Sequence, residues 1–296
     1  MSSTTATGST LGVLARQEIR NYLKSKVFWF GTALTLVVDV LLLADINDQP
    51  GSSSIDYMIA PAALLGVLGL VVMFGLTRRS DRAAEAAGAV AVPERTRTLA
   101  LVAATIVPLS VAIVSFVVAV VAWYMHPPAG WAVPPGISNA FVFTQMFGDG
   151  VMCAVGGPLF GLLLARYLPK RGVSAVASVV LVIATILLQG GGLVGGEQRY
   201  RVFWVWTYFV TQSAEGGPGQ HHITTNPGNP YLWVLYLVTL CALGVVVAVL
   251  HDPESDRATL KKVALGLVVA AVVLGLLAMT LGFTERIVNP EVCPVC

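Results

Sequence analysis

TRRSDRAAEAAGAVAVPERTRT, at residues 77–98, is an arginine-rich segment between two long apolar runs. It has more basic side chains than any other segment between apolar runs, namely Arg78, Arg79, Arg82, Arg95 and Arg97. Lys and Arg beside membrane spans are retained on the cytoplasmic side, where anionic lipid also attracts them. Ser80 is a good N-cap followed by alanines, which predicts a short helix at residues 80–87 that Gly88 and Pro93 terminate. The segment is therefore expected to be a cytoplasmic loop, either a solvated connector or a docking element for a cytosolic partner.

The composition places the chain among membrane proteins. Of its 296 residues, 56% are hydrophobic and 11% are charged, with a mean hydropathy of +0.77. Soluble domains carry about 25% charged residues. Apolar runs of about 18 or more residues recur along the chain, and a helix of that length crosses the hydrocarbon core. The prediction is an all-α polytopic membrane protein.

Hydropathy predicts seven spans. They cover residues 27–44, 57–76, 99–124, 141–165, 173–194, 231–250 and 263–283. In residues 11–26, apolar and cationic positions take opposite helical faces, which predicts an amphipathic helix in the inner interface. The chain thus divides into residues 1–26, a tail with this helix, and residues 27–250, a six-span domain. Residues 251–296 add a cytoplasmic loop, the seventh span and a short extracytoplasmic tail.

The segment VFWVWTYFV at residues 202–210 is too short to span a membrane and too aromatic to lie in water. It predicts a re-entrant or interfacial helix at the outer leaflet. Its aromatic candidates are Trp204, Trp206, Tyr208 and Phe209. Residues 216–230, which include His221 and His222, are predicted to be a polar loop, and adjacent histidines on such a loop are more often solvated than metal-bound. We predict no metal site.

The distribution of basic residues predicts the orientation. Of the 18 Lys and Arg residues, all but Arg199, Arg201 and Arg286 fall on one side of the seven-span arrangement. Because basic loops stay inside the cell, the N-terminus is predicted to be cytoplasmic and the C-terminus to lie outside.

The sequence lacks the motifs of an ATPase or hydrolase. It has no G-x-x-x-x-G-K-[ST] pattern and no Gly-Lys dipeptide, so it cannot hold ATP with a P-loop. No Ser/His/Asp, H-E-x-x-H or paired-carboxylate arrangement stands out. We expect neither enzyme chemistry nor a bound cofactor in this chain.

Three of the polar residues inside predicted spans are candidate functional residues: Asp39, Gln145 and Asp149. An ionisable group in the membrane is costly, and by default it marks a functional site. Coupling to an ion gradient is one interpretation of the two aspartates. The other is that both lie near the outer ends of their spans, in wet surroundings.

The four cysteines are of two kinds. Cys153 and Cys241 lie in apolar runs and are expected to be small buried hydrophobes. Cys293 and Cys296 form a C-terminal Cys-Pro-Val-Cys, the spacing of a redox pair or of half a metal site. Because no second pair or neighbouring histidine completes a zinc site, we expect a disulfide or attachment point outside the membrane.

Four local patterns form one recognisable layout. They are the amphipathic LARQEIRNYLKSK, the basic loop RRSDRAAE, PERTRTLA at the start of the third span, and NPGNPYLWVLY leading into the sixth span after the aromatic segment. Over residues 11–250, this layout resembles the membrane subunit of a type-2 ABC exporter, the ABC-2 permease family. A seventh span departs from the six-span core of that family.

The resemblance implies that a separate cytosolic ABC ATPase binds ATP and Mg²⁺, and that two permease protomers, identical or different, enclose the substrate path. It implies that residues 16–26 and 80–91 dock the ATPase, with Arg16, Arg20, Arg82 and Glu85 as candidate contacts. It also implies that residues 204–209 form the outer re-entrant element near the exit. The cargo would be hydrophobic or amphipathic and would move outward.

The remaining partner and location predictions follow from the same features. We expect the plasma membrane and its lipid as the environment and no nucleic-acid partner, and the Arg, Ala, Val and Gly usage is typical of a high-GC bacterium. Two other functions stay open. One is an ion-coupled secondary carrier that uses Asp39 and Asp149. The other is a non-transporting sensor or assembly partner with Cys293 and Cys296 outside.

Overall fold

The computed structural model describes residues 4–44, 58–88, 92–125, 138–189, 202–207, 212–217, 220–224 and 228–282. Four predicted site residues lie outside these ranges: Tyr208, Phe209, Cys293 and Cys296.

The described chain is mostly helical. Its helices are α1 (Thr4–Leu23), α2 (Lys26–Leu43), α3 (Leu68–Ala87), α4 (Glu94–Ala104), α5 (Ile106–Met125), α6 (Asn139–Met146), α7 (Cys153–Tyr167), α8 (Val173–Gln189), α9 (Pro230–Leu250) and α10 (Arg257–Thr280). Two π-helical stretches interrupt the regular pattern. Pro61–Val67 leads directly into α3, and Phe147–Met152 joins α6 to α7.

Among the described residues, six helices are long and apolar enough to cross a membrane, which confirms the polytopic membrane-protein prediction. They are Lys26–Leu43, Pro61–Ala87, Glu94–Met125, Asn139–Tyr167, Pro230–Leu250 and Arg257–Thr280. The predicted fifth span corresponds to α8, whose apolar part, Val173–Leu188, is shorter than these six. At 1.5 Å per residue it extends about 25 Å, less than the hydrocarbon core of about 30 Å. The total of seven spans therefore stays a prediction, as does the orientation.

The prediction of a short separate helix at residues 80–87 is wrong. The helix runs without a break from the membrane span through Ser80 to Ala87. Helix formers lie on both sides of Ser80, and no glycine or proline lies between Gly75 and Gly88. The N-cap preference of a single serine therefore does not start a new helix. Gly88 does end the helix, at a φ of +59° that favours glycine.

The connection before α9 also differs from the prediction. Residues 202–207 begin with a single 3₁₀ turn and contain no α-helix. The prediction of a helix at residues 202–210 is therefore wrong over this described part. Two strands, β1 (Gln212–Gly217) and β2 (Gln220–Thr224), form an antiparallel hairpin. Residues 216, 217 and 220–224 of this hairpin were predicted to be polar loop. In its register, Gln212 pairs with Thr224.

A seam of small residues holds Pro61–Ala87, hereafter the α3 span, against Asn139–Tyr167, hereafter the α7 span. A Cβ at Gly157 would collide with the carbonyl oxygen of Gly66, and one at Gly161 would collide with the carbonyl of Leu70. Small residues allow helix backbones to approach this closely in membranes. Gly157 and Gly161 therefore permit the close approach of these two spans.

The predicted inner ends of the spans meet at one end of the bundle. Asp81 on α3, Glu94 on α4, Arg166 on α7 and His251 after α9 contact one another there. At the opposite end, Trp123 Nε1 donates to Asn139 Oδ1 over 3.3 Å, which joins the end of α5 to the start of α6. These contacts place the ends of α3, α7 and α9 and the start of α4 at one end of the bundle.

Candidate functional site

The candidate site has two parts: residues 202–207 inside the bundle, hereafter the aromatic segment, and a charged cluster at the end where Asp81 and Arg166 meet. The α3 and α7 spans connect the two parts.

The aromatic segment packs against α7, α9 and the π stretch before α3. The side chain of Trp206 is 6% exposed, and a Cβ at Gly66 would lie 2.7 Å from its ring. The backbone N–H of Thr207 donates to Cys153 Sγ over 3.4 Å. Gly66 and Cys153 both lie within candidate spans. The segment is therefore irregular backbone at the depth of these spans. Such backbone is stable in a membrane only where protein surrounds it.

Side chains of α9 satisfy the backbone of the aromatic segment. Trp233 Nε1 donates to the carbonyl oxygen of Trp204 over 3.1 Å, and the Tyr236 hydroxyl donates to that of Phe203 over 3.0 Å. These bonds replace the intrahelical bonds that the segment lacks, and an unsatisfied carbonyl in hydrocarbon costs several kcal/mol. The sequence analysis did not identify this role of Trp233.

The predicted intramembrane polar residues are buried. Asp39 is 8% exposed, and Ser115 Oγ on α5 donates to its carboxylate over 2.7 Å. Asp149 is 2% exposed and lies in the π stretch before α7, a helix type frequent at functional sites. Gln145 is fully buried, and its side-chain amide has no hydrogen-bond partner among the described residues. The wet surroundings expected as one alternative for the two aspartates are therefore not found.

A charged cluster joins four helical elements at the other end. Arg166, with a side chain only 2% exposed, places Nη1 2.5 Å from Asp81 Oδ1 and 3.3 Å from Glu94 Oε1. Its Nη2 donates to Thr98 Oγ1 over 3.0 Å. His251 Nδ1 lies 2.6 Å from the same Glu94 oxygen. The cluster thus fixes α3, α4, α7 and the end of α9 relative to one another.

The sequence analysis missed this cluster, because it counted Arg166 only among the basic residues that predict the orientation. A signal was available in the acids Asp81 and Glu94, which lie within a loop otherwise dominated by arginine. Arg97 also belongs to the cluster, with Nη1 3.1 Å from Asp81 Oδ1.

The predicted docking residues are exposed at this same end. Arg16 and Arg20 are exposed on α1, and Arg82 and Glu85 are exposed on α3. The two helices share a groove of about 320 Å³ with the start of α4, and its polar lining includes Gln17, Glu18, Asn21, Arg79 and Arg97.

Tyr22 anchors α1 to the bundle. It is fully buried, and its hydroxyl has no partner among the described residues. Burial raises the pKa of Tyr22 well above its ordinary value, so the hydroxyl stays neutral. The apolar ring packs edge-on against Phe28 with centroids 5.4 Å apart. The amphipathic helix is therefore held against the membrane spans.

Within the described residues, no group of three His, Cys, Asp or Glu side chains is arranged to hold a metal ion. Cys153 is buried, as predicted, and Cys241 is partly buried. Comparison with family models, curated proteins and solved structures found no match to this chain.

Proposed function

We propose that this chain is the permease subunit of an ABC-2 type exporter, in which a separate cytosolic ATPase supplies the energy to move a hydrophobic or amphipathic substrate outward. The observation that carries the proposal is the position of α1 beside the polar end of α3. Together they present exposed charged residues at one end of a bundle whose sequence has no P-loop. An ATPase partner docking there would bind ATP and Mg²⁺.

The continuity of the α3 span supports mechanical coupling from this surface into the membrane. Pro61–Ala87 is one helical rod of 27 residues, about 40 Å long at 1.5 Å per residue. Its exposed end carries Glu85, and near its other end Gly66 touches Trp206. A displacement applied by a docked ATPase would therefore reach the aromatic segment, which we assign to the outer exit.

The plasma membrane as location, and a second permease protomer that completes the substrate path, are part of the same proposal. Many large apolar side chains of the single chain are exposed, for example Val176, Val180 and Ile186 on α8. Lipid or a second protomer would cover such faces in the membrane.

The test is co-expression and co-purification of the chain with ABC ATPases of its own genome, followed by measurement of nucleotide hydrolysis in liposomes. Replacing Arg82 with Glu and Glu85 with Arg is expected to abolish co-purification and substrate-stimulated hydrolysis. The matched control replaces Lys261 and Lys262, exposed cations at the start of α10, with Glu and is expected to retain both. The proposal fails if the purified chain alone transports substrate, or if both charge variants behave alike.

A second candidate is an ion-coupled carrier, favoured by the burial of Asp39, Asp149 and the unpartnered amide of Gln145. Buried intramembrane carboxylates are typical of proton relays. Under this function, Asp39→Asn and Asp149→Asn would lose the response of transport to a proton gradient. Unchanged transport in both variants removes this candidate and leaves the ATPase-driven one standing.

A further inference from the structure

A long apolar groove opens between α7, α8 and α9. Its volume is about 850 Å³, and its walls include Gly156 and Leu163 on α7, Val180 on α8 and Gly244 on α9. The aromatic segment closes one end with Trp204 and Trp206. From Gly156 to Leu168 the groove follows twelve residues, about 18 Å of helix, slightly more than half of a hydrocarbon core of about 30 Å. Its length thus matches the depth of one leaflet.

The other end of the groove is cationic. Lys170 and Arg171 line it there, both are exposed, and no ion pair to an acidic side chain involves either of them among the described residues. The backbone turns at Gly172 with a φ of +85°, and α8 begins at the next residue. The free N–H groups of the first turn of α8 therefore lie beside the two cations, where they favour an anion.

Charge at one end and apolar walls elsewhere match one class of molecule. We propose that this groove binds one anionic phospholipid, with its phosphate at Lys170 and Arg171 and an acyl chain along α7 beneath α8. Basic pockets between membrane helices on the cytoplasmic side are suited to anionic headgroups, and the predicted orientation puts this end in the inner leaflet. This site does not depend on the proposed transport activity.

Lipid fits the groove better than an extended peptide does. The lining is apolar except at its cationic end, so an extended peptide in it would leave backbone N–H and C=O groups unsatisfied. The face of α8 that turns away from the groove, including Val179 and Ile183 at 57% and 51% exposure, is equally suited to contact lipid.

The first test removes the cations. Native mass spectrometry of the purified full chain in neutral detergent counts bound lipid during titration with phosphatidylglycerol or phosphatidylcholine. One phosphatidylglycerol is expected to bind in preference to phosphatidylcholine. The double variant Lys170→Ala, Arg171→Ala is expected to weaken its binding about 30-fold, since each cation near a membrane surface contributes about a factor of five. The control Lys261→Ala, Lys262→Ala is expected to bind as the wild type does.

The second test fills the groove without disturbing the helices. A Cβ at Gly156 would meet no atom within 4 Å, so Gly156→Leu extends into the groove and is expected to abolish phosphatidylglycerol binding. The control Gly75→Leu, on α3 and equally free of neighbours, is expected to leave binding intact. Melting temperatures of the variants report whether each one folds.

Four outcomes would overturn the proposal. Equal binding of phosphatidylcholine would show ordinary contact with bulk lipid. Equal stabilisation by glycerol 3-phosphate would show a site for the phosphate group alone. Unchanged phosphatidylglycerol binding in folded Gly156→Leu would place the lipid elsewhere. Dissociation of a dimer by Gly156→Leu, with no change in lipid count, would assign the groove to a second copy of the chain.

Discussion

Removing the charge of Arg166 should destabilise the protein less than removing the acids that surround it. In Arg166→Met, Asp81 keeps Arg97 and Glu94 keeps His251, and the acid side chains are 30% and 18% exposed. Neither acid is left as an isolated buried charge. In the double variant Asp81→Asn, Glu94→Gln, by contrast, the guanidinium stays 2% exposed with no anionic partner among the described residues.

The magnitudes follow from this asymmetry. Arg166→Met loses one strong charge-assisted bond and weaker contacts, worth about 1.5–3 kcal/mol. It also recovers part of the cost of burying a guanidinium, whose Nε has no partner among the described residues. We expect a loss of about 2 kcal/mol of unfolding free energy. The double acid variant should lose about 4 kcal/mol, since an uncompensated buried charge costs about 3–5 kcal/mol.

The assay is reversible unfolding in mixed micelles by titration with SDS, with helix content as the signal. The triple variant with all three substitutions should be more stable than the double acid variant, because it also removes the buried Arg166 guanidinium that the double variant leaves without an anionic partner. Lys262→Met, an exposed cation at the start of α10, is the control and should change stability by less than about 0.5 kcal/mol. A loss in Arg166→Met that exceeds the loss in the double acid variant would refute the reasoning.

Three further substitutions test the packing and the helix ends. Gly157→Ala should destabilise the protein by about 1–3 kcal/mol in the same assay, because its methyl group would push against the backbone of Gly66. Trp233→Phe should cost about 1–3 kcal/mol and accelerate hydrogen exchange in the aromatic segment, because the carbonyl of Trp204 loses its donor. Hydrogen bonds from the first turn of α10 hold the pKa of the Asp256 carboxyl below its ordinary value. The stabilisation is therefore present above about pH 4 and lost as the pH falls through the lowered pKa, so the difference in melting temperature between Asp256→Ala and wild type should shrink on acidification.

Each of these has a matched control. Gly75→Ala meets no neighbour and should be neutral or slightly stabilising. Trp29→Phe removes a bond to the Leu23 carbonyl that is exposed, so its cost should be small. Asp256→Asn keeps an acceptor at the N-cap without the charge, and its stability relative to Asp256→Ala should not change with pH. A large loss in Gly75→Ala or Trp29→Phe, or a pH-independent difference for Asp256→Ala, would contradict the respective explanation.

The spans could be predicted from the sequence because burial in a membrane needs only a long apolar run, which is a local property. The ends of the helices were harder to predict. The α3 helix continues through Ser80 because capping by one serine is worth no more than continuing the helix with alanines. The α4–α5 boundary at Thr105 lies three residues before Pro108. In an unbroken helix, the ring of Pro108 would clash with the carbonyl of Ala104.

The candidate site could be predicted only in part, because its contacts are distant in sequence. Arg166 and Asp81 are 85 residues apart, and nothing local at Arg166 indicates a buried guanidinium. The aromatic run at residues 202–207 was interpreted as a helix because composition does not show that Trp233 and Tyr236, about 30 residues later, supply its hydrogen bonds. Exposure of Arg82 and Glu85, by contrast, follows from local polarity.

The two parts of the candidate site cannot move independently. Gly66 lies between the backbone of Gly157 and the ring of Trp206, with no space for even a methyl group on either side. A shift of the α3 span along its axis must therefore either carry the aromatic segment with it or separate the α3 and α7 spans at the glycine seam. The bond between Arg166 and Asp81 opposes the second response at the far end of the same two helices. Under the proposed function, force that a docked ATPase applies to the polar end of α3 would therefore reach the aromatic segment, and loosening the Arg166 cluster would weaken that transmission before it unfolds the bundle.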